Sequence, residues 1–311
     1  MARFLIRRLL LLVPVVLGVA TLTFLLMHLS PGDPARTYLG DRATPAAIAA
    51  LRHQWGLDQP LWRQYLTFMG ELAVGNLGQS MFFQHSILGL LWIRLPPTLW
   101  LMALATLFSI VIAVPLSVWM AVSRGGAVDT GIRSFNAIAQ GTPLFFTGSV
   151  LIATFSLHFR WFPVAGYGKT FLEHIASLVL PSISVALVIV PFLIRGLRGA
   201  LVDALNSEYV NFAKAKGLSR RSIWLDYALR NAAISGISIL GIQVGYLAGG
   251  SLVIENVFAI PGMGTFLMTG ILNRDFPVVQ ASALVFALLV VFVYLLTDIA
   301  YGLFDPRVRL Q

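Results

Sequence analysis

The chain has 311 residues, 58% of them apolar and only 11% charged, and its mean hydropathy is +0.82. Soluble domains of this length do not approach that balance, so the solvent for most of its surface is lipid. Its lack of cysteine excludes disulfides, thiolate metal sites and cysteine nucleophiles, and its net charge of +9 poses the question of where the positive charge lies.

Unpaired backbone groups are costly in hydrocarbon, which leaves helices or a closed barrel, and the alternating strands of a barrel are missing. A spanning helix needs about 20 apolar residues. The first such run, Leu9 to Met27, follows Arg3, Arg7 and Arg8; its length and the absence of an Ala-x-Ala site read as an anchor rather than a cleaved signal peptide. The loop Ser30 to Arg94 is large and mixed in charge, and within it Pro45 to Leu66 has helix-forming composition, with Leu51, Trp55, Trp62 and Tyr65 available to cover a surface. Further spans are expected at Leu95 to Ser123, Ser134 to Leu157 and Ile175 to Ile194. Prolines at 14, 115, 143, 181 and 191 lie inside these first four runs, where kinks would suit a pathway that opens and closes. His28 and His158 sit at span ends and read as interfacial residues. Gly168-Lys169-Thr170 imitates the end of a phosphate-binding loop, but Pro163 stands where the first glycine is required and no strand precedes it.

Between the fourth span and the next lies a short helix with start and stop signals. Asn206 or Ser207 can cap it, Glu208 sits in its first turn, Lys214 and Lys216 in its last, and Gly217 is placed to end it in the left-handed conformation. Tyr209, Phe212 and Ala213 form a small apolar stripe that packs either on the chain's own spans or on a partner. A second amphipathic piece, Ser219 to Asn231, carries Ile223, Trp224 and Tyr227 on one side and Arg220, Arg221 and Arg230 among its polar positions. It leads into the fifth span, Asn231 to Ile254, where Gly241, Gly245 and Gly249 make a smooth stripe suited to close helix packing. The run Asn256 to Asn273 is interrupted by Pro261-Gly262 and Gly264 and reads as a loop or re-entrant helix. Phe276 to Thr297 is the sixth span, and Asp298 near its end is the one intramembrane charge, read as structural or as part of a proton relay.

Lys and Arg are retained on the cytoplasmic side of short loops. With the N-terminus inside, Arg195, Arg198, Lys214, Lys216, Arg220, Arg221 and Arg230 all fall in the inner loop between spans four and five, and Arg307 and Arg309 also lie inside. The positive charge is thus assigned to the cytoplasmic membrane face rather than to nucleic acid. Three segments follow: 1–29, the N-terminal end and first span; 30–94, an extracytoplasmic cap; and 95–311, a five-span core with an inner loop at about 199–230.

The segment Asn211-Phe-Ala-Lys-Ala-Lys-Gly217 resembles the EAA loop of ATP-binding-cassette import permeases, with Ala213 and Gly217 matching the pattern, Asn211 in place of Glu and Phe212 in place of the first Ala. Other pieces resemble the B-type permease subunit of dipeptide, oligopeptide and nickel importers. They are Arg3-Phe-Leu-Ile-Arg-Arg8, Ser30-Pro-Gly-Asp-Pro34, Gly56-Leu-Asp-Gln-Pro-Leu-Trp62, Arg94-Leu-Pro-Pro-Thr98 and Trp161-Phe-Pro-Val-Ala-Gly-Tyr167. Leu229-Arg-Asn-Ala232, Glu255-Asn-Val-Phe258, Pro261-Gly-Met-Gly264 and Asp305-Pro-Arg-Val-Arg309 complete the set.

The resemblance implies an all-α, six-span type I importer permease in the bacterial inner membrane with both termini cytoplasmic. It implies a heterodimer with a homologous C-type permease, two cytoplasmic ATPase subunits that carry ATP and Mg, and an extracytoplasmic peptide-binding protein near the cap. The coupling loop would comprise Glu208, Tyr209, Asn211, Phe212, Ala213, Lys214, Ala215, Lys216, Gly217 and Leu218, with no cofactor, metal or catalytic residue on this chain. Dipeptide, oligopeptide and nickel-chelate cargoes stay open. An ATP-independent secondary transporter or channel is the alternative, if Asp298 and the histidines form a proton path.

Overall fold

The computed structural model describes residues 2–29, 32–40, 43–123 and 125–304; the closing Asp305 to Arg309 motif, Ser30, Pro31, Arg42 and Arg124 lie outside them. Among the described residues the chain is helical, with one isolated bridge between Gln79 and Ser86. Thirteen α-helices follow in order: α1 Ala2–Leu29, α2 Pro34–Leu39, α3 Pro45–Gln54, α4 Leu61–Ala73, α5 Ile87–Val122, α6 Ala127–Gly141 and α7 Leu144–Leu151. Then come α8 Phe171–Leu205, α9 Glu208–Ala215, α10 Arg220–Ser222, α11 Arg230–Val257, α12 Met263–Leu272 and α13 Phe276–Phe304. Two π-helical stretches, Ile152–His158 and Ile223–Leu229, extend α7 and lead into α11.

Among the described residues five stretches are long and apolar enough to cross a membrane, Leu12–Leu29, α5, α8, Arg220–Val257 and α13, and a bent pair brings the number to six if it is one span. The third expected span differs. It is broken into α6 and the α7 segment, which meet at 105°. Pro143 has no N–H to continue the ladder and pushes the residue before it out of the helical region, and Thr142 is extended there, at φ −91° and ψ 124°. The other prolines in the apolar runs stay within continuous helices: Pro14 in α1, Pro115 in α5, and both Pro181 and Pro191 in the 35-residue α8.

The chain divides into two compact units. One comprises Leu99–Ile260 with the chain from Val290 onward. Its centre is α8, with 72% of its most apolar window buried. Leu178, Val185, Ile189, Val190 and Leu193 of α8 pack with Leu101 and Ala105 of α5 and with Leu247 and Ile254 of α11. Glycines let α8 and α11 close up: a Cβ at Gly236 would stand 2.7 Å from Leu197 Cδ2, and one at Gly196 would collide with Ile239 Cδ1. Removing this much apolar surface stabilises less in lipid than in water, so such packing rests on dispersion and fit.

The other unit comprises Ala2–Thr98 and Pro261–Leu289. It joins the first span, the loop helices α2 to α4, the beginning of α5, α12 and the beginning of α13. It has a second core, in which Ile87 and Leu91 meet Met263, Phe266, Val278 and Ala281. Asp275, 1% exposed, accepts from the hydroxyl of Ser80 and from Phe82 N–H at 2.9 Å. Thr21 and Tyr65 hydroxyls pair at 2.8 Å, and His28 Nε2 lies 3.1 Å from Gln64 Oε1, fixing α4 against α1. The helix-forming stretch Pro45 to Leu66 is divided between α3 and α4. Gly56, at φ +67°, ends α3, and Pro60 precedes α4. Trp62 is 64% exposed, while Trp55 packs edge-on to Tyr38.

Candidate functional site

Helix α8 runs past the end of its apolar run to Leu205 and turns at Asn206. Ser207 occupies the N-cap position of α9, but its hydroxyl donates back to Ala204 C=O instead of capping. At the other end Gly217 adopts φ +78°. This αL residue lets Gly217 N–H donate to Lys214 C=O at 2.9 Å and Leu218 N–H to Ala213 C=O at 3.2 Å, satisfying carbonyls the helix would otherwise leave open. Ser219 then caps the next turn through Ser222 N–H at 3.2 Å.

The face of α9 that packs inward is Val210 and Ala213, buried against Ile223 with Leu205 and Tyr227 alongside. The expected stripe of Tyr209, Phe212 and Ala213 is divided between the chain's own surface and the outer face of the helix. Only Ala213 of the three is buried; Phe212 is 62% exposed, Tyr209 40%. Tyr209 is amphipathic, and its hydroxyl accepts from the Asn231 amide while its ring stacks over Tyr227 at 6.4 Å. Phe212 instead lies beneath the Lys216 ammonium, 4.6 Å from its ring centroid. Glu208, Asn211, Lys214, Ala215, Lys216 and Leu218 are exposed. The helix thus has two attachments to the segment that becomes α11, an apolar one through Ile223 and a polar one through Asn231, and it presents Phe212 and two ammonium groups outward.

Near the root of this loop, Arg198 on α8 holds Asp129 at the start of α6 with two parallel bonds, Nε to Oδ1 and Nη2 to Oδ2, both 3.0 Å. Arg133 adds a third contact at 2.7 Å. Asp129 is 1% exposed, so its charge is kept by this bidentate fork and the Gly125 N–H. Sequence reasoning missed it because the side chain that secures it lies 69 residues away.

Several of the scattered motifs meet in space. Gly166 N–H donates to Phe258 C=O at 2.9 Å, tying the Trp161 to Tyr167 segment to the Glu255 to Phe258 segment. Met263 N–H donates to Thr98 Oγ1 at 2.8 Å, tying Arg94 to Thr98 to Pro261 to Gly264. The Arg94 guanidinium lies 5.8 Å from the Phe83 ring and 6.0 Å from that of Phe266. Gly168-Lys169-Thr170 proves to be a capping box: Thr170 accepts from Glu173 N–H, and Glu173 Oε2 accepts from Lys169 N–H at 2.7 Å.

Along α11 the glycine stripe divides. A Cβ at Gly241 would stand 2.5 Å from Thr297 Cγ2, at Gly245 it would make ordinary contact with Tyr294 at 3.5 Å, and at Gly249 it would meet nothing within 4 Å. In the loop helices His53 Nδ1 and Asp58 Oδ2 pair at 2.7 Å. The hydrogen bond and charge of Asp58 hold the His53 imidazole above its ordinary 6.5, and the same bond holds the Asp58 carboxyl below its ordinary 3.8.

The family model described as "Binding-protein-dependent transport system inner membrane component" matches residues 113–310, and its N-terminal companion matches 1–102. The chain is 37% identical over 335 residues to the Di/tripeptide transport system permease protein DppB of Pseudomonas aeruginosa, covering 100% of both. It is 35% identical over 312 residues to a probable peptide ABC transporter permease protein of Sinorhizobium fredii, covering 99% of this chain and 100% of that one. Among solved structures, the inward-facing MetNI methionine ABC transporter matches with TM-score 0.59 at 18% identity over 70% of this chain and 97% of that one, which supports the fold alone. With apolar helices that cross a bilayer and both family models matched along it, the chain belongs to the binding-protein-dependent transport system inner membrane components, the multi-pass permease subunits of ABC transporters.

Proposed function

We propose that this chain is the B-type permease of a peptide importer and forms half of its translocation pathway, with a homologous C-type permease as the other half. Its di/tripeptide and peptide permease relatives support a peptide as cargo. Two ATPase subunits on the basic side of the membrane hydrolyse ATP with Mg, and a peptide-binding protein delivers cargo from the opposite side, where the loop helices lie. Both chain ends face the ATPases.

The observation that carries this reading is the build of α9: capped off by Gly217, bound to the α11 segment through Val210 and Ala213 on one face, and open on the face with Phe212. Phe212, Tyr209 and Leu218 supply the apolar contact that an ATPase groove takes up, and Lys214 and Lys216 supply the charge. Movement of the ATPases displaces α9, and the Ile223 and Asn231 attachments pass that displacement to α11. Because α11 packs closely on α8 and α13, the helices rock together between two states, and a ligand that favours one ATPase arrangement shifts that balance. Catalysis resides on the partners; this chain supplies the path and the handle.

The test is Phe212→Asp in the full complex. Insertion and yield are expected to be unchanged because the side chain is outward, while co-purification of the ATPase subunits and uptake of labelled dipeptide fall together. Wild-type levels of both would refute the docking assignment.

A further inference from the structure

Beside the coupling segment lies an open groove of about 500 Å³. Its walls are Val114 of α5, Leu197 of α8, Leu225, Leu229 and Ala233 of the 223–257 segment, and Leu303 of α13. Leu225 and Leu303 are 50% and 63% exposed, and the groove is flanked by four of the spanning stretches. On spanning helices, an apolar groove of this kind suits an acyl chain. At its rim stand two opposite charges four residues apart, Asp226 and Arg230, which do not pair with each other. Asp226 Oδ2 accepts from the Ser222 hydroxyl at 2.7 Å, leaving its other oxygen open. Arg230 is exposed and forms no ion pair among the described residues.

We propose that this groove binds a phospholipid bearing a primary ammonium, phosphatidylethanolamine. One acyl chain lies along Leu225, Leu229 and Ala233, the Arg230 guanidinium donates to the phosphate, and the ammonium donates to Asp226. A phosphatidylglycerol headgroup has only neutral hydroxyls to offer the Asp226 carboxylate in place of an ammonium, a weaker donor without the charge, and a choline headgroup has no N–H to give. The rim therefore selects a zwitterion with hydrogen-bond donors. The site touches the Ile223–Leu229 stretch that joins α9 to α11, so an occupied groove adds a contact to the segment through which α9 acts.

Native mass spectrometry of the full-length chain, released from nanodiscs of equal phosphatidylethanolamine, phosphatidylcholine and phosphatidylglycerol content, tests this. The wild type is expected to retain phosphatidylethanolamine about tenfold over phosphatidylcholine, the effect of one charge-assisted hydrogen bond. Arg230→Gln should remove the retention. Asp226→Asn should lose the preference and gain phosphatidylglycerol. Both residues are exposed, and circular dichroism checks that each variant is folded. Ala233→Trp, which fills the groove, should displace lipid without altering either charge. Equal retention of all three lipids by the wild type would overturn the proposal, as would retention that survives both Arg230→Gln and Ala233→Trp. So would displacement by millimolar phosphoethanolamine alone, which would mean a headgroup site without the chain. The same measurement on the assembled transporter would overturn it too if the complex releases no lipid that Ala233→Trp displaces.

Discussion

Replacing Gly217 with valine isolates a backbone effect. The residue holds φ +78°, and no atom lies within 4 Å of where a Cβ would stand, so a side chain there costs conformational strain and nothing from packing. An L-residue in the left-handed region costs roughly 1–2 kcal/mol, most for a β-branched one and least for asparagine. A cost of that size shifts the loop equilibrium by a factor of about 5 to 30. Relief of the strain breaks the two bonds that close α9, Gly217 N–H to Lys214 and Leu218 N–H to Ala213. It leaves the α8 core intact, because Val210, Ala213 and Ile223 form a cluster separate from it. In proteoliposomes containing all subunits, Gly217→Val is expected to cut labelled dipeptide uptake about tenfold on that scale, Gly217→Ala to be intermediate and Gly217→Asn to stay near wild type, all with unchanged melting temperature. Equal uptake by valine and glycine forms would refute the reasoning. Equal defects for alanine, asparagine and valine would also refute it, because the ordering by φ tolerance is its content.

At Gly241 a Cβ would press on Thr297, so Gly241→Val should lower stability by about 1–3 kcal/mol, with partial rescue by Thr297→Ala and no effect from Gly249→Ala; thermal unfolding in detergent reads all three. Thr98→Val leaves the buried Met263 N–H without its acceptor at a cost of about 1–3 kcal/mol, whereas Thr98→Ser keeps the bond, and the same melting assay separates them. The His53–Asp58 pair has a defined pH window. The raised His53 pKa contributes stability that is complete below about 6.5 and lost as pH rises through the folded value. The lowered Asp58 pKa contributes stability present above its ordinary value and lost as pH falls through the folded one. The pair is therefore intact between those limits. Asp58→Asn should return the His53 titration toward 6.5 by NMR, and an unchanged midpoint would contradict the pairing.

Most spans could be read from the sequence because length and apolarity in lipid are local properties; the runs at α5, α8, α11 and α13 need no tertiary information. The third run was not readable in that way. Ser134 to Leu157 is apolar enough to look like one span, and only the extended Thr142 before Pro143 shows that the chain turns by 105° there. Pro115, Pro181 and Pro191 show why proline alone does not announce such a break. On α9, both ends are legible through Glu208 and Gly217, yet the sequence does not say which apolar residues turn inward: Val210 and Ala213 do, and Phe212 does not. Val210 and Phe212 stand two residues apart, about 200° around the helix, so they face opposite ways, and the Tyr209 hydroxyl finds its partner in Asn231. Asp298 stands out in the sequence as a charge at the end of an apolar run, whereas nothing local marks Asp129 or Asp275 as buried, though each is 1% exposed.

The motif residues at these boundaries share one physical task. A helix leaves backbone donors open at its start and acceptors at its end, and near hydrocarbon each open group is expensive. Thr98 takes the first N–H of α12, the Gly166 N–H takes the carbonyl of Phe258 just after α11, and Glu173 takes the N–H groups of Lys169 and Thr170 before α8. Asp275 does the same for Phe82 and Val278. The spacing between such motifs then reflects which helix ends must be closed by which distant loop. That is why short strings far apart in sequence come together within each compact unit, while the apolar residues between them need only suit the lipid.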